Sequence, residues 1–150
     1  MKIALGSDHA GFVFKERVKA WLIDWGHTPL DFGSFDTSPV DYPDFVLPAA
    51  AAVASGRCER GFVFGGSGNG EAMAANKLRG IRCGVGWSVE SVRLTRAHND
   101  ANVLSLGGRL VNPAELEQIT RVFLETAFEG GRHAPRLAKL ALLGSLPSPG

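Results

Sequence analysis

The densest run of chemically useful residues in this chain is Gly65-Gly66-Ser67-Gly68-Asn69-Gly70-Glu71. Its glycines let the backbone adopt positive φ and turn successive N–H groups toward one oxygen. A helix opening just after it adds a positive N-terminal end. Nucleotide loops fit poorly. A P-loop closes on Gly-Lys-Ser/Thr, whereas Gly70 is followed by Glu71 and Ala72. A dinucleotide fingerprint built on Gly66 and Gly68 needs a third glycine where Glu71 stands, and a carboxylate there repels phosphate. The plain alternatives are a tight strand-to-helix turn and an acid placed for the helix dipole. Beside a row of N–H donors, however, Glu71 is a candidate base next to a candidate oxyanion hole. That pair suits removal of a proton α to a carbonyl. The helix end favours the charged form, so basicity is expected only once a bound molecule desolvates the group.

Other candidates lie far from this loop in sequence. Asp8 and His9 follow the first apolar run; Asp8 also has the type and position of a helix N-cap. His98-Asn99-Asp100 closes a helix, where a histidine serves the last carbonyls but also titrates near neutral pH and could shuttle a proton. Arg109 follows two glycines, and Arg132 and Arg136 stand one helical turn apart. Three such guanidinium groups could clamp a phosphate, a solvated charge stripe being the ordinary alternative. His133, beside Arg132, is a lesser candidate for that anion, and His27 reads as surface.

These residues need a scaffold. Short apolar runs at residues 3–6, 28–32, 61–64, 81–85 and 102–106 read as strands, the second weakened by Pro29. Phe14, Val18, Trp21, Leu22 and Trp25 recur at helical spacing, with Lys15, Glu16 and Lys19 opposite and Gly26 as the stop. Further helices are expected over residues 49–54, 71–77 and 89–97, from Pro113 at its first position through Phe128, and over 132–143. Residues 33–43 read as loop, and 145–150 as a fraying tail. Such alternation implies one α/β domain over 1–150: a three-layer α/β/α arrangement on a five-stranded parallel, Rossmann-like sheet. Ligands bind beyond the carboxyl ends of such strands. Those ends carry Ser7-Asp8-His9, residues 65–70, Trp87-Ser88 and Gly107-Gly108-Arg109.

Composition narrows the class. A net charge of +1 gives no footprint for nucleic acid or a membrane surface. Two cysteines, Cys58 and Cys83, are too few for a disulfide framework or a metal cluster and read as reduced thiols. With no signal-type N-terminus and no membrane-length apolar run, a cytoplasmic location is expected.

Together, Gly6-Ser7-Asp8-His9-Ala10-Gly11, Asp41-Tyr42-Pro43, residues 65–70 with Ala74-Ala75-Asn76-Lys77, residues 96–102, Gly107-Gly108-Arg109 and Glu129-Gly130-Gly131-Arg132-His133 resemble the type B ribose-5-phosphate isomerase family, which includes galactose-6-phosphate and allose-6-phosphate isomerases. The resemblance implies a cofactor-free aldose–ketose isomerase working through an enediolate. It implies that Asp8 and His9 bind a sugar phosphate, and that Tyr42 lines the pocket. Gly66, Ser67, Gly68, Asn69 and Gly70 would form the oxyanion loop. His98 would open the sugar ring, Asn99 bind the sugar, and Arg109, Arg132 and Arg136 hold the phosphate. Many members carry a cysteine base where this chain has Gly65; a second branch carries glutamate after the loop, as Glu71 does here. Homodimers, or tetramers, with shared sites are implied too. Ribose 5-phosphate is the leading substrate, with four- or six-carbon sugar phosphates (erythrulose 4-phosphate, allose 6-phosphate) as alternatives. A non-catalytic phosphate- or nucleotide-binding module is the reading from another class.

Overall fold

Alternation along the strands dictates the layers. In β1 (Lys2–Ser7), Ile3 and Leu5 enter one apolar cluster and Ala4 the other. Phe62 and Phe64 are separated from Val63 in the same way in β3 (Arg60–Gly65), as are Leu104 and Leu106 from Val103 in β5 (Val103–Gly107). Strands apolar on both sides need a helical layer on each face. On one face α1 (Phe12–Asp24), α4 (Val89–Asn99) and α5 (Leu116–Glu125) bring Phe14, Val18, Leu22, Val92, Ile119 and Phe123. On the other, α2 (Pro43–Ala54) and α3 (Asn69–Ala75) bring Val46, Ala49, Val53 and Ala75.

With β2 (Thr28–Asp31) and β4 (Cys83–Val85), five parallel strands form one sheet in the order β2-β1-β3-β5-β4. This is the expected three-layer arrangement. From β1 the chain goes one way to β2 and then crosses to β3 on the other side, so the topological switch point lies between β1 and β3. A 3₁₀ turn over Gly131–His133 leads into α6 (Ala134–Leu142). The computed structural model describes residues 1–142; the expected last residue of the final helix, Leu143, and the tail at 145–150 lie outside them. None of its helices is long and apolar enough to cross a membrane.

Several boundaries differ from the sequence reading for local reasons. Pro43 does not break the chain but opens α2, where its lack of an N–H is harmless. Pro113 is not the first residue of a helix. Asn112 Oδ1 accepts from Ala114 N–H at 3.1 Å and its carbonyl from Glu115 N–H at 3.0 Å, so a turn comes first and α5 starts at Leu116. α5 stops at Glu125, not Phe128, because Thr126 is extended and its carbonyl accepts from Arg96 Nε at 3.2 Å. Lys15, expected opposite the apolar face, is fully buried. Its Nζ donates to Asp31 at 2.6 Å and to Glu16 at 2.7 Å, near the Phe12 and Phe35 rings. Burial works against the Asp31 charge, but the bonds from Lys15 and Lys19 outweigh it and hold the carboxyl below its ordinary value. His27, expected at the surface, is half-buried, 3.3 Å from the N-terminal amine.

The α2 layer sits close to β1 because small residues meet there. A Cβ on Gly6 would come within 2.5 Å of the Phe45 carbonyl oxygen and 2.9 Å of Ala49 Cβ. Gly6→Val should therefore overpack this contact and cost about 1–3 kcal/mol. A lower urea midpoint at unchanged m is the expected result; an unaltered midpoint would mean α2 retreats freely.

Candidate active site

β3 ends at the switch point and turns sharply into α3. Gly68 takes φ +83°, a conformation that disfavours any side chain, and its carbonyl accepts from the buried Ser105 hydroxyl at 2.6 Å. The Gly65 and Gly66 carbonyls accept from Gly108 N–H at 2.7 Å and Arg109 N–H at 3.0 Å. Asn69 N–H donates to Ser67 Oγ at 3.2 Å. The loop carbonyls are thus tied back into the sheet. Among the described residues, the N–H groups of Gly66, Ser67, Gly68 and Gly70 have no acceptor in this network. Such a cluster of free donors is equipped to hold an oxyanion.

Glu71 stands in the first turn of α3 but is only 4% exposed. Its carboxylate lies against Gly65: a Cβ at 65 would overlap both carboxylate oxygens. Residue 65 and residue 71 therefore reach the same point in space from two backbone positions. A cysteine at 65 and the present glutamate cannot coexist without one moving. Burial raises the Glu71 pKa; its own N–H acts in the opposite direction, and the nearby Asp8 carboxylate raises it further. This corrects the expectation from the helix dipole: desolvation dominates before any sugar arrives. The two thiols are poor rivals. Burial, then the Glu71 charge, pushes Cys83 up to about 12, and burial also raises Cys58.

Other candidates surround this carboxylate. Asp8 does not cap α1, whose N-cap is Gly11; its Oδ1 instead accepts from Gly11 N–H at 3.0 Å, closing the turn after β1. His9 Nδ1 accepts from Val40 N–H at 3.2 Å, which leaves the proton of a neutral ring on Nε2. The Tyr42 ring covers Gly70, where a Cβ would stand 2.8 Å from Cζ. The Arg109 guanidinium covers Gly66 similarly, Nη1 lying 3.2 Å from a Cβ built there.

The remaining candidates gather elsewhere. His98 and Asn99 end α4, just before β5, whereas Arg109 follows β5. Five strand residues separate the two ends by roughly 16 Å. Glu129 N–H donates to the Ala97 carbonyl at 2.9 Å, which brings the turn carrying Arg132 and His133 to the end of α4. Arg132 and Arg136 are exposed there. A cavity of about 800 Å³ between α3, β4, α4 and α6 includes Asn99 in its wall but not Glu71 or the glycine loop. One chain does not bring the two groups to one point. His98, Glu129 and His133 place ligand atoms within 4.8 Å of one another. The two rings lie 16° from parallel, so their in-plane lone pairs do not converge as a metal ion requires.

The ribose/galactose isomerase family model matches residues 3–140. The chain belongs to the ribose/galactose isomerase family. It is 43% identical over 143 residues to ribose-5-phosphate isomerase B of Mycolicibacterium paratuberculosis, covering 94% of this chain and 90% of that one. Among solved structures, Clostridium thermocellum ribose-5-phosphate isomerase B superposes with a TM-score of 0.95 at 43% identity, covering 97% of this chain and 98% of that one. The Mycoplasma genitalium enzyme with bound ribulose-5-phosphate gives 0.92 at 33% identity, covering 97% of each chain. The fold and reaction class expected from the motifs, an aldose–ketose sugar-phosphate isomerase on a three-layer sheet, agree with these relatives.

Two contributors escaped the sequence reading. Ser105 looks like one polar residue inside an apolar strand, yet it anchors Gly68. Glu129 lies 3.6–3.7 Å from both His98 and His133, and its spacing of four residues from His133 was the available signal. The raised Glu71 carboxyl binds its proton more tightly in the folded than in the unfolded chain. It therefore opposes folding above the folded value and is silent below the unfolded one, near 4.5. Glu71→Gln should resist urea better than the parent at neutral pH, and the gap should close as acid protonates the parent. A gap that widens in acid would mean the carboxylate is solvated.

Proposed function

We propose that this chain interconverts ribose 5-phosphate and ribulose 5-phosphate, with Glu71 carrying the proton between C2 and C1. The observation that carries this reading is the buried Glu71 carboxylate beside the free N–H groups of Gly66, Ser67, Gly68 and Gly70. Base and oxyanion donors side by side are what an enediolate intermediate needs.

The steps balance without an electron acceptor. His98 assists opening of the furanose, which exposes the C1 aldehyde. Glu71 takes the C2 proton, and the electrons move onto the aldehyde oxygen, held by the loop N–H groups with Ser67 and Asn69 alongside. Glu71 then returns the proton to C1 while the C2 hydroxyl passes its own to O1, leaving the C2 ketone and a C1 hydroxyl. Asp8, His9 and Tyr42 line the sugar near the loop, Asn99 binds it from the other side, and Arg109, Arg132 and Arg136 hold the phosphate.

Because the two groups of residues stand at opposite ends of β5, this reading joins the glycine loop of one copy to the His98 end of another. A homodimer is its smallest form. The reduced thiols fit a cytoplasmic setting.

Proton exchange in deuterated water, followed across four-, five- and six-carbon sugar phosphates, tests the reaction and the substrate together. Fastest exchange is expected with the five-carbon pair. Glu71→Gln should fold and bind sugar phosphate but lose exchange by about 10²–10⁴-fold; near-normal exchange would remove Glu71 as base. Arg132→Ala should raise KM for phosphorylated sugar by roughly tenfold or more, and an unaltered KM would take it out of the clamp.

A further inference from the structure

His98 has two neighbours to which the reaction so far gives no part. Its ring faces that of His133, with centroids 4.2 Å apart and planes 16° from parallel. Glu129 Oε2 stands 3.7 Å from His98 Nε2 and 3.6 Å from His133 Nε2. The bond from Glu129 N–H to the Ala97 carbonyl holds the backbone of this residue against the last turn of α4. His133 is buried, whereas His98 is 33% exposed and so open to a ligand.

We propose that Glu129 and His133 are positioning residues for His98, the neighbouring carboxylate and the stacked ring fixing the plane of its imidazole for the ring-opening step. This inference rests on the ring-opening role given to His98 above. Ring opening breaks the C1–O4 bond, removes a proton from O1 and places one on O4. An imidazolium that protonates O4 is restored by the proton leaving O1, so the step consumes nothing. Two rings this close disfavour a double charge, and one carboxylate between their Nε2 atoms compensates a single one. The surroundings of His133 work against a charge on its ring. Burial depresses the His133 pKa, the charges of His98, Arg132 and Arg136 push the same way, and only Glu129 opposes them.

Ribulose 5-phosphate separates this role from general damage. The hydroxyl that would close a furanose onto C2 carries its phosphate, so the sugar is acyclic. Exchange of its C1 proton with deuterated water needs Glu71 but no ring opening, whereas consumption of ribose 5-phosphate needs both. Glu129→Gln should lower kcat for ribose 5-phosphate by about 10–100-fold, the range for groups that orient a working side chain. C1 exchange of ribulose 5-phosphate should stay within about twofold of the parent. Glu129→Asp should recover part of the loss, and His133→Phe, which keeps a stacked ring, should lose less than His133→Ala. Equal losses of both rates in Glu129→Gln, or no loss in either, would overturn the proposal. A parent protein that neither exchanges nor consumes these sugars would overturn the isomerase reading itself, and this inference with it.

Discussion

A carboxylate fits beneath the glycine loop only because residue 65 has no side chain. Any Cβ there would occupy the space of the Glu71 oxygens, so glycine at the end of β3 and glutamate in the first turn of α3 are one structural unit. The same burial that makes room for the acid also raises its proton affinity, against the helix end that would lower it. Desolvation wins because the group is nearly closed off from water, whereas the partial charge of a short helix acts mainly through exposed termini. The loop is as constrained as the acid. Its Gly65, Gly66 and Gly68 carbonyls are taken by Gly108, Arg109 and Ser105, while the N–H groups of Gly66, Ser67, Gly68 and Gly70 have no acceptor among the described residues. Donors and carboxylate are in place before anything binds, which is what electrostatic stabilisation of a developing oxyanion demands.

A second constraint comes from strand length. In a parallel sheet each helix returns the chain to the amino end of the next strand, so residues that close a helix and residues that follow a strand stand at opposite edges. His98 and Asn99 are of the first kind, Asp8, Glu71 and Arg109 of the second. No side chain spans β5. Under the proposed reading a site using both groups is assembled from two copies, which would make association part of the chemistry rather than an addition to it.

Much of this was legible in the residues. Short apolar runs such as residues 61–64 and 102–106, alternating with segments of helical spacing, were enough for a two-faced parallel sheet. The motif Gly-Ser-Gly-Asn-Gly-Glu pointed to donors beside an acid. Lys15 was not legible: its position on α1 resembles a solvated stripe, and only the packing of β2 brings Asp31 beneath it. Pro43 and Pro113 carry the same breaking tendency, but one opens a helix and the other sits in a turn, because Asn112 competes for the nearby N–H groups.

Residue types and their order determined the layers, the loop and the acid at 71, since these depend on periodicity and on backbone freedom within a few residues. Tertiary structure alone decided that Glu71 is buried, that it fills the space beside Gly65, that Glu129 lies beside two histidines, and that His98 lies a strand's length from Glu71. Each of these depends on segments distant in sequence meeting in space, and burial, charge proximity and reach are properties of that meeting rather than of any local run of residues.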